Sequence, residues 1–143
     1  MLELDGYDEL MRELDRIDRT LRRRTTRDVA RAMAEVVATR AKQLCPRGDP
    51  AHNPDAKPLA ETIGIEVRDY GERQLAVVGP QVPAGAHGHN VENGHAIVRN
   101  GQVVGRAAPH PFIRPAADET QSEQQAAAEA VATQAVQDLG LTG

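Results

Sequence analysis

"APHPFIRPAADET", residues 108–120, contains the only phenylalanine of the chain, Phe112, set among Pro109, Pro111 and Pro115. Proline locks its own φ and pushes the preceding residue toward extended geometry, so Ala108 and His110 are held extended. Pro115 suits the first turn of a helix, where its missing N–H costs nothing. A stiff approach, one large apolar side chain and a helix start follow each other, so the stretch decides where the C-terminal helix begins. That helix runs through "PAADETQSEQQAAAEAVATQAVQDLG", rich in Ala, with Val131, Ala135 and Leu139 near one face and Gly140 as its C-cap.

Moving toward the N-terminus, "HAIVRNGQVVGR" (residues 95–106) places Asn100-Gly101 between two short β-prone runs. That pair tolerates the positive φ of a type I′ turn and predicts a hairpin. In "TIGIEVRDYGERQLAVVGP" (residues 62–80), Ile63, Ile65 and Val67 alternate with smaller or charged residues, and Leu75, Val77 and Val78 follow a turn near Gly71. This predicts a further hairpin. The stretch "CPRGDPAHNPDAKP" (residues 45–58) carries four prolines and reads as an irregular loop. It and part of residues 81–90 offer too little apolar surface to offset the entropy of ordering, and both are expected to be mobile until a partner orders them.

Nearer the start, Tyr7, Leu10, Leu14, Ile17 and Leu21 recur at three- and four-residue intervals and predict an amphipathic helix. "RRRTT" reads as an interruption, after which Thr25 or Thr26 caps a second helix running to about Leu44, with Val29, Met33, Val36, Val37 and Leu44 on its buried side. Pro46 ends it. The expected fold is α+β: an antiparallel sheet of two hairpins packed against N-terminal and C-terminal helices. Residues 1–143 form one domain, with 1–24 a helical extension and 25–143 the core.

Composition narrows the function. Of 143 residues 40% are hydrophobic, yet the aromatic set is only Phe112, Tyr7 and Tyr70. A core this poor in aromatics buries little area per residue, which favours completion by partner subunits. The net charge of -4 supplies no overall basic field and argues against nucleic acid as the main partner. Cys45 stands alone, so no intrachain disulfide forms, and the acidic N-terminus lacks the pattern of a signal peptide. No run approaches the roughly 18 apolar residues of a membrane span.

Three clusters invite chemistry. His87, His89, Glu92 and His95 lie within nine residues in "HGHNVENGH", and on a strand His87 and His89 would share a face. Their spacing matches no recognised zinc motif, so polar residues of a Gly-rich loop are the plainer reading, and a small metal-dependent hydrolase the rival one. His52 and His110 add little. Cys45 follows a helix C-terminus, which disfavours a thiolate, and reads as a small apolar residue under the loop. The arginines of residues 19–31 (Arg19, Arg22, Arg23, Arg24, Arg27 and Arg31) could grip phosphates as a nucleic-acid-binding module. Interleaved acids, with Asp15-Arg19 and Asp18-Arg22 at helix ion-pair spacing, make a self-paired surface the better reading. Neither catalytic residues nor a cofactor or metal site are expected.

"VENGH" at residues 91–95, followed by "HPFIRPA" at residues 110–116, resembles a family of minor virion proteins of long-tailed bacteriophages, the neck or head-tail joining and tail-completion proteins. Four elements of the family pattern have counterparts in order. Ala41, Leu44 and Pro46 fall on the end of the N-terminal helix, and Leu59, Thr62 and Ile63 on the entry to a strand. Val91, Glu92 and Gly94 fall on a turn, and Pro111, Phe112, Ile113, Pro115 and Ala116 on the opening of the C-terminal helix. Thr62 replaces a serine of that pattern and His95 a threonine, and the segment after Pro46 lacks its Thr-Gly. The resemblance implies a non-enzymatic structural protein forming a ring at the head-tail junction of the virion, made in the bacterial cytoplasm. It implies as partners further copies of itself, a head-side connector and tail-terminator or tail-tube proteins, with DNA passing through the lumen and no membrane. It also implies interface roles for Val91, Glu92, Gly94, Pro111, Phe112, Ile113, Arg114 and Pro115. Phe112 either pins the C-terminal helix to its own sheet or plugs a neighbouring subunit.

Overall fold

The computed structural model describes residues 7–48, 55 and 57–138, with side chains described from residue 18 onward. The element order is α1 (Tyr7–Leu44), α2 (Leu59–Thr62), β1 (Ile63–Tyr70), β2 (Arg73–Pro80), α3 (Gly88–Asn93), β3 (His95–Arg99), β4 (Gln102–Ala107), α4 (Ile113–Glu119) and α5 (Gln121–Asp138). Helices at both ends enclose two antiparallel hairpins, the α+β fold expected from the sequence.

α1 is one uninterrupted helix of 38 residues, roughly 57 Å at 1.5 Å per residue. The interruption expected at "RRRTT" does not occur, because arginine is a good helix former and no Gly or Pro stands between Tyr7 and Cys45. Thr26 does not cap a new helix: its hydroxyl donates back to the Arg22 carbonyl at 2.7 Å. On the buried stripe Ala34, Val37, Ala38 and Ala41 are covered, while Val29, Met33, Val36 and Leu44 are half-buried. Alanines thus occupy the line of closest approach, where β1, β2, α4 and α5 all meet this helix.

The first hairpin pairs Ile63 with Pro80 at its open end and Tyr70 with Arg73 at its turn. Its half-buried pairs Ile65–Val78 and Val67–Ala76 share one face, and Tyr70, Leu75 and Val77 are exposed on the other. At the second hairpin Asn100 and Gly101 both adopt positive φ, 52° and 77°, as the type I′ turn requires. Between Ile97 and Val98 the register shifts, leaving Val104 as an extra residue on β4. The two hairpins do not share a ladder but remain separate two-stranded sheets.

Val37, Ala38, Ala41, Cys45, Leu59, Ile63, Phe112 and Ala116 form the core. Phe112 is 0% exposed and is the largest fully buried side chain among the described residues. The C-terminal helix is broken once, at Thr120. There the backbone leaves helical geometry, with φ −108° and ψ 18°. The Thr120 hydroxyl donates to the Ala116 carbonyl at 2.6 Å and accepts from the Gln124 amide at 3.1 Å, bridging the break. Half-buried Val131 and Ala135 lie on the side of α5 that includes Gln124 and Ala128, and Leu139, expected with them, lies outside the described residues. So do residues 49–54 and 56, on which most of the mobility expectation for the proline-rich loop falls.

Candidate functional site

In place of the Gly-rich loop expected around the histidines stands the short helix α3, which ends at Asn93 with Gly94 as its C-cap and carries Glu92 in its last turn. Glu92 reaches across to the start of α4. Its Oε2 accepts the backbone N–H of Phe112 at 2.7 Å and of Ile113 at 3.0 Å, and its Oε1 accepts the N–H of Arg114 at 3.0 Å. These are the amides that every helix N-terminus leaves without partners. The N-cap residue is Phe112, which has no side-chain oxygen, and the first turn of α4 carries no acid. A carboxylate from 20 residues upstream in the chain therefore does the work of a local cap, with the helix dipole favouring its charge.

Neighbouring contacts fix the reach. The His110 N–H donates to the Val91 carbonyl at 2.7 Å, so the extended approach held by Pro109 and Pro111 is stitched to α3 immediately before the cap. Gly94 has φ 71°, and a Cβ there would lie 2.6 Å from the Ala107 carbonyl oxygen and 3.0 Å from the Pro109 nitrogen. Only glycine permits that conformation at that distance. Val-Glu-Asn-Gly and Pro-Phe-Ile-Arg-Pro are thus two halves of one lock.

Burial disfavours ionisation of Glu92, but the N–H groups of Phe112, Arg114 and Ile113 outweigh it, and the Arg114 charge adds to them, so the carboxyl sits below its ordinary value of 4.5. Cys45, buried in the core, moves the opposite way: burial first, then the Glu92 charge, push its thiol above the ordinary 9.0. It is a core residue with no trait of a nucleophile.

Of the residues expected at an interface, Val91, Glu92, Gly94, Pro111, Phe112, Ile113, Arg114 and Pro115 are all gathered in this lock or beside it. Phe112 is buried within its own chain, Val91, Ile113 and Pro115 are half-buried, and Pro111 and Arg114 are exposed. An open groove of about 500 Å³ runs beside the lock, walled by Val78, Pro80, Val82, His89, Ile113 and Ala117 among others.

The histidine cluster does not converge. His87 and His89 lie at the start of a helix rather than on a strand, and both are exposed. His89 Nδ1 lies 3.0 Å from the Ala86 carbonyl, the Glu92 oxygens are occupied by amides, and His95 opens β3, exposed. Among the described residues no group of three or more His, Cys, Asp or Glu side chains could hold a metal ion. The arginines of α1 are partly committed to ion pairs: Arg22 with Asp18, Arg31 with Glu35 at 3.6 Å, and Arg23 with Asp69 at 2.7 Å. The Asp15 side chain of the expected pair with Arg19 lies outside the described residues. Asp69, at the turn of the first hairpin, also accepts from Gln74 at 2.6 Å and from the Gly71 N–H at 2.9 Å. Those bonds, that from Gln74 foremost, hold its carboxyl at about 2 and tie α1 to the turn.

The lock was not read from the sequence, although one signal for it is there. Glu92 is the only acid between Glu72 and Asp118, and a helix beginning at Pro-Phe-Ile-Arg-Pro brings no acceptor of its own. Against known proteins, the family model described as "Bacteriophage HK97-gp10, putative tail-component" matches residues 8–94. No curated protein and no solved structure gives a significant match.

Proposed function

The chain belongs to the HK97-gp10-like family of bacteriophage tail components, and from this membership we propose that it is a structural virion protein assembling as a ring at the head-tail junction. Its partners there are further copies of itself, a head-side connector, and tail-terminator or tail-tube proteins, with DNA passing through the lumen. Its role lies in surfaces rather than in bond-making. The observation that carries this reading is the family match, which spans α1 through α3 and ends at Gly94, inside the lock. The geometry supports it. A carboxylate lock that sets the direction of α4 gives each subunit a fixed relation between its body and its C-terminal helices, as a closed ring of identical contacts needs. Within the lock, Asn93, Pro111 and Arg114 are the residues open to a neighbour, while Val91, Glu92, Gly94, Phe112, Ile113 and Pro115 hold the frame that presents them. Among the described residues no helix is long and apolar enough to cross a membrane.

A nonsense mutation in this gene of the parent phage tests the reading. The expected phenotype is filled heads and complete tails that fail to join, with joining restored by adding the purified protein. Intact, infectious particles lacking the protein would refute it.

A further inference from the structure

The second hairpin stands apart from the body. Among the described residues neither β3 nor β4 packs extensively on any element but the other, and every residue of β3 is exposed. Yet Ile97, Val98, Val103 and Val104 are 39%, 58%, 66% and 57% exposed, four apolar side chains open to solvent on a two-stranded unit of a kind that is marginal by itself in water. The charge around it is of one sign. From Asn93 to Phe112, the hairpin and its flanks, the chain carries Arg99 and Arg106 and no acid.

The C-terminal helices are the reverse. After Arg114, in the first turn of α4, the chain carries five acids, Asp118, Glu119, Glu123, Glu129 and Asp138, and no Lys or Arg, with Glu119 paired to Arg40 of α1 at 2.8 Å. All five are exposed. α5 meets α1 yet has no buried residue, and its solvent side carries Glu129 with Val136, which is 41% exposed.

We propose that the β3–β4 hairpin of one subunit docks on the α4–α5 surface of a second copy of this chain, Arg99 and Arg106 meeting its acids and the valines covering its Ala-rich outer face. A basic apolar arm and an acidic helix on one molecule are complementary to each other and not to themselves. Made in one direction round successive copies, the contact is heterologous and repeats head to tail until it closes, as the ring reading requires. The exposed valines favour a protein over nucleic acid as the occupant, since phosphate contacts need cations rather than apolar surface. The docking rests on the ring reading above but not on where in the virion the ring sits.

Light scattering of the purified full chain across a concentration series tests it. The wild type is expected to form a defined oligomer that weakens at least tenfold in 1 M salt. Arg99→Glu with Arg106→Glu is expected to leave monomer. Glu123→Arg with Glu129→Arg is expected to do the same, and an equimolar mixture of the two variants to regain association, because between unlike subunits both contacts are complementary, one pairing the two unaltered surfaces and the other the two reversed ones. Circular dichroism and unfolding midpoints matching wild type show that the variants fold, and Val103→Ser with Val104→Ser provides a second, charge-neutral disruption. Oligomers indifferent to the hairpin changes overturn the docking while leaving the ring reading intact. A wild type that stays monomeric but is retained on duplex DNA through Arg99 and Arg106 overturns it in favour of nucleic acid. A failure of the phage phenotype with this assembly intact refutes the head-tail role alone.

Discussion

Replacing Glu92 with alanine removes the acceptor of three amides at once. The N–H groups of Phe112 and Ile113 are part-buried and lose partners at 2.7 and 3.0 Å, whereas that of Arg114 is exposed and turns to water. Hydrogen bonds to a charged group contribute about 1.5 to 3 kcal/mol each, and loss of a conventional N-cap costs about 0.5 to 2 kcal/mol. With the exposed bond discounted and the remaining two sharing one oxygen, Glu92→Ala is expected to destabilise the fold by about 2 to 4 kcal/mol. Glu92→Gln keeps the shape and one oxygen but sets an NH2 against a backbone donor, for a loss of about 1 to 2 kcal/mol. The pH dependence has a definite sign. Because the folded carboxyl lies below its ordinary 4.5, its stabilisation is fully present above that value and is lost as pH falls through the lower folded value. The gap between wild type and Glu92→Gln should therefore close in that acid range and nowhere above it. Urea unfolding at pH 7, repeated stepwise into acid, reads both quantities. A Glu92→Ala protein within about 0.5 kcal/mol of wild type at pH 7, the spread of inert surface changes, would refute the cap.

Phe112→Ala should cost about 3 to 5 kcal/mol, since the ring is wholly buried and α4 cannot easily collapse onto the space; an unchanged thermal midpoint would contradict its place in the core. Gly94→Ala should destabilise more than Gly101→Ala, because both need positive φ but only at position 94 would the new Cβ meet a backbone oxygen at 2.6 Å, the surroundings of Gly101 being open to 4 Å; equal unfolding free energies would remove the close-approach argument. Cys45 should react with thiol reagents far more slowly in the native protein than in urea, and Glu92→Gln should lower its apparent pKa. Native labelling as fast as in the unfolded chain would show that the core opens there.

Local patterns were legible in the sequence because they are local physics. The Asn100-Gly101 turn follows from which residues tolerate positive φ, the strands from alternation, and the helix start near Pro115 from proline's missing donor. Phe112 could be singled out as an anchor by its rarity and its proline frame. The continuity of α1 was misread because a run of arginines followed by threonines looks like a boundary when charge is weighed above helix propensity. What only the tertiary structure decided are the relations between distant segments. That Glu92 caps α4 depends on α3 lying beside Phe112, which no spacing along the chain encodes, and the same placement denies the histidines a common centre. That the two hairpins remain separate sheets is likewise outside any alternation pattern. Period-two sequence says which residues share a face, while which strands α1 packs against, β1 and β2, is settled only by the tertiary arrangement.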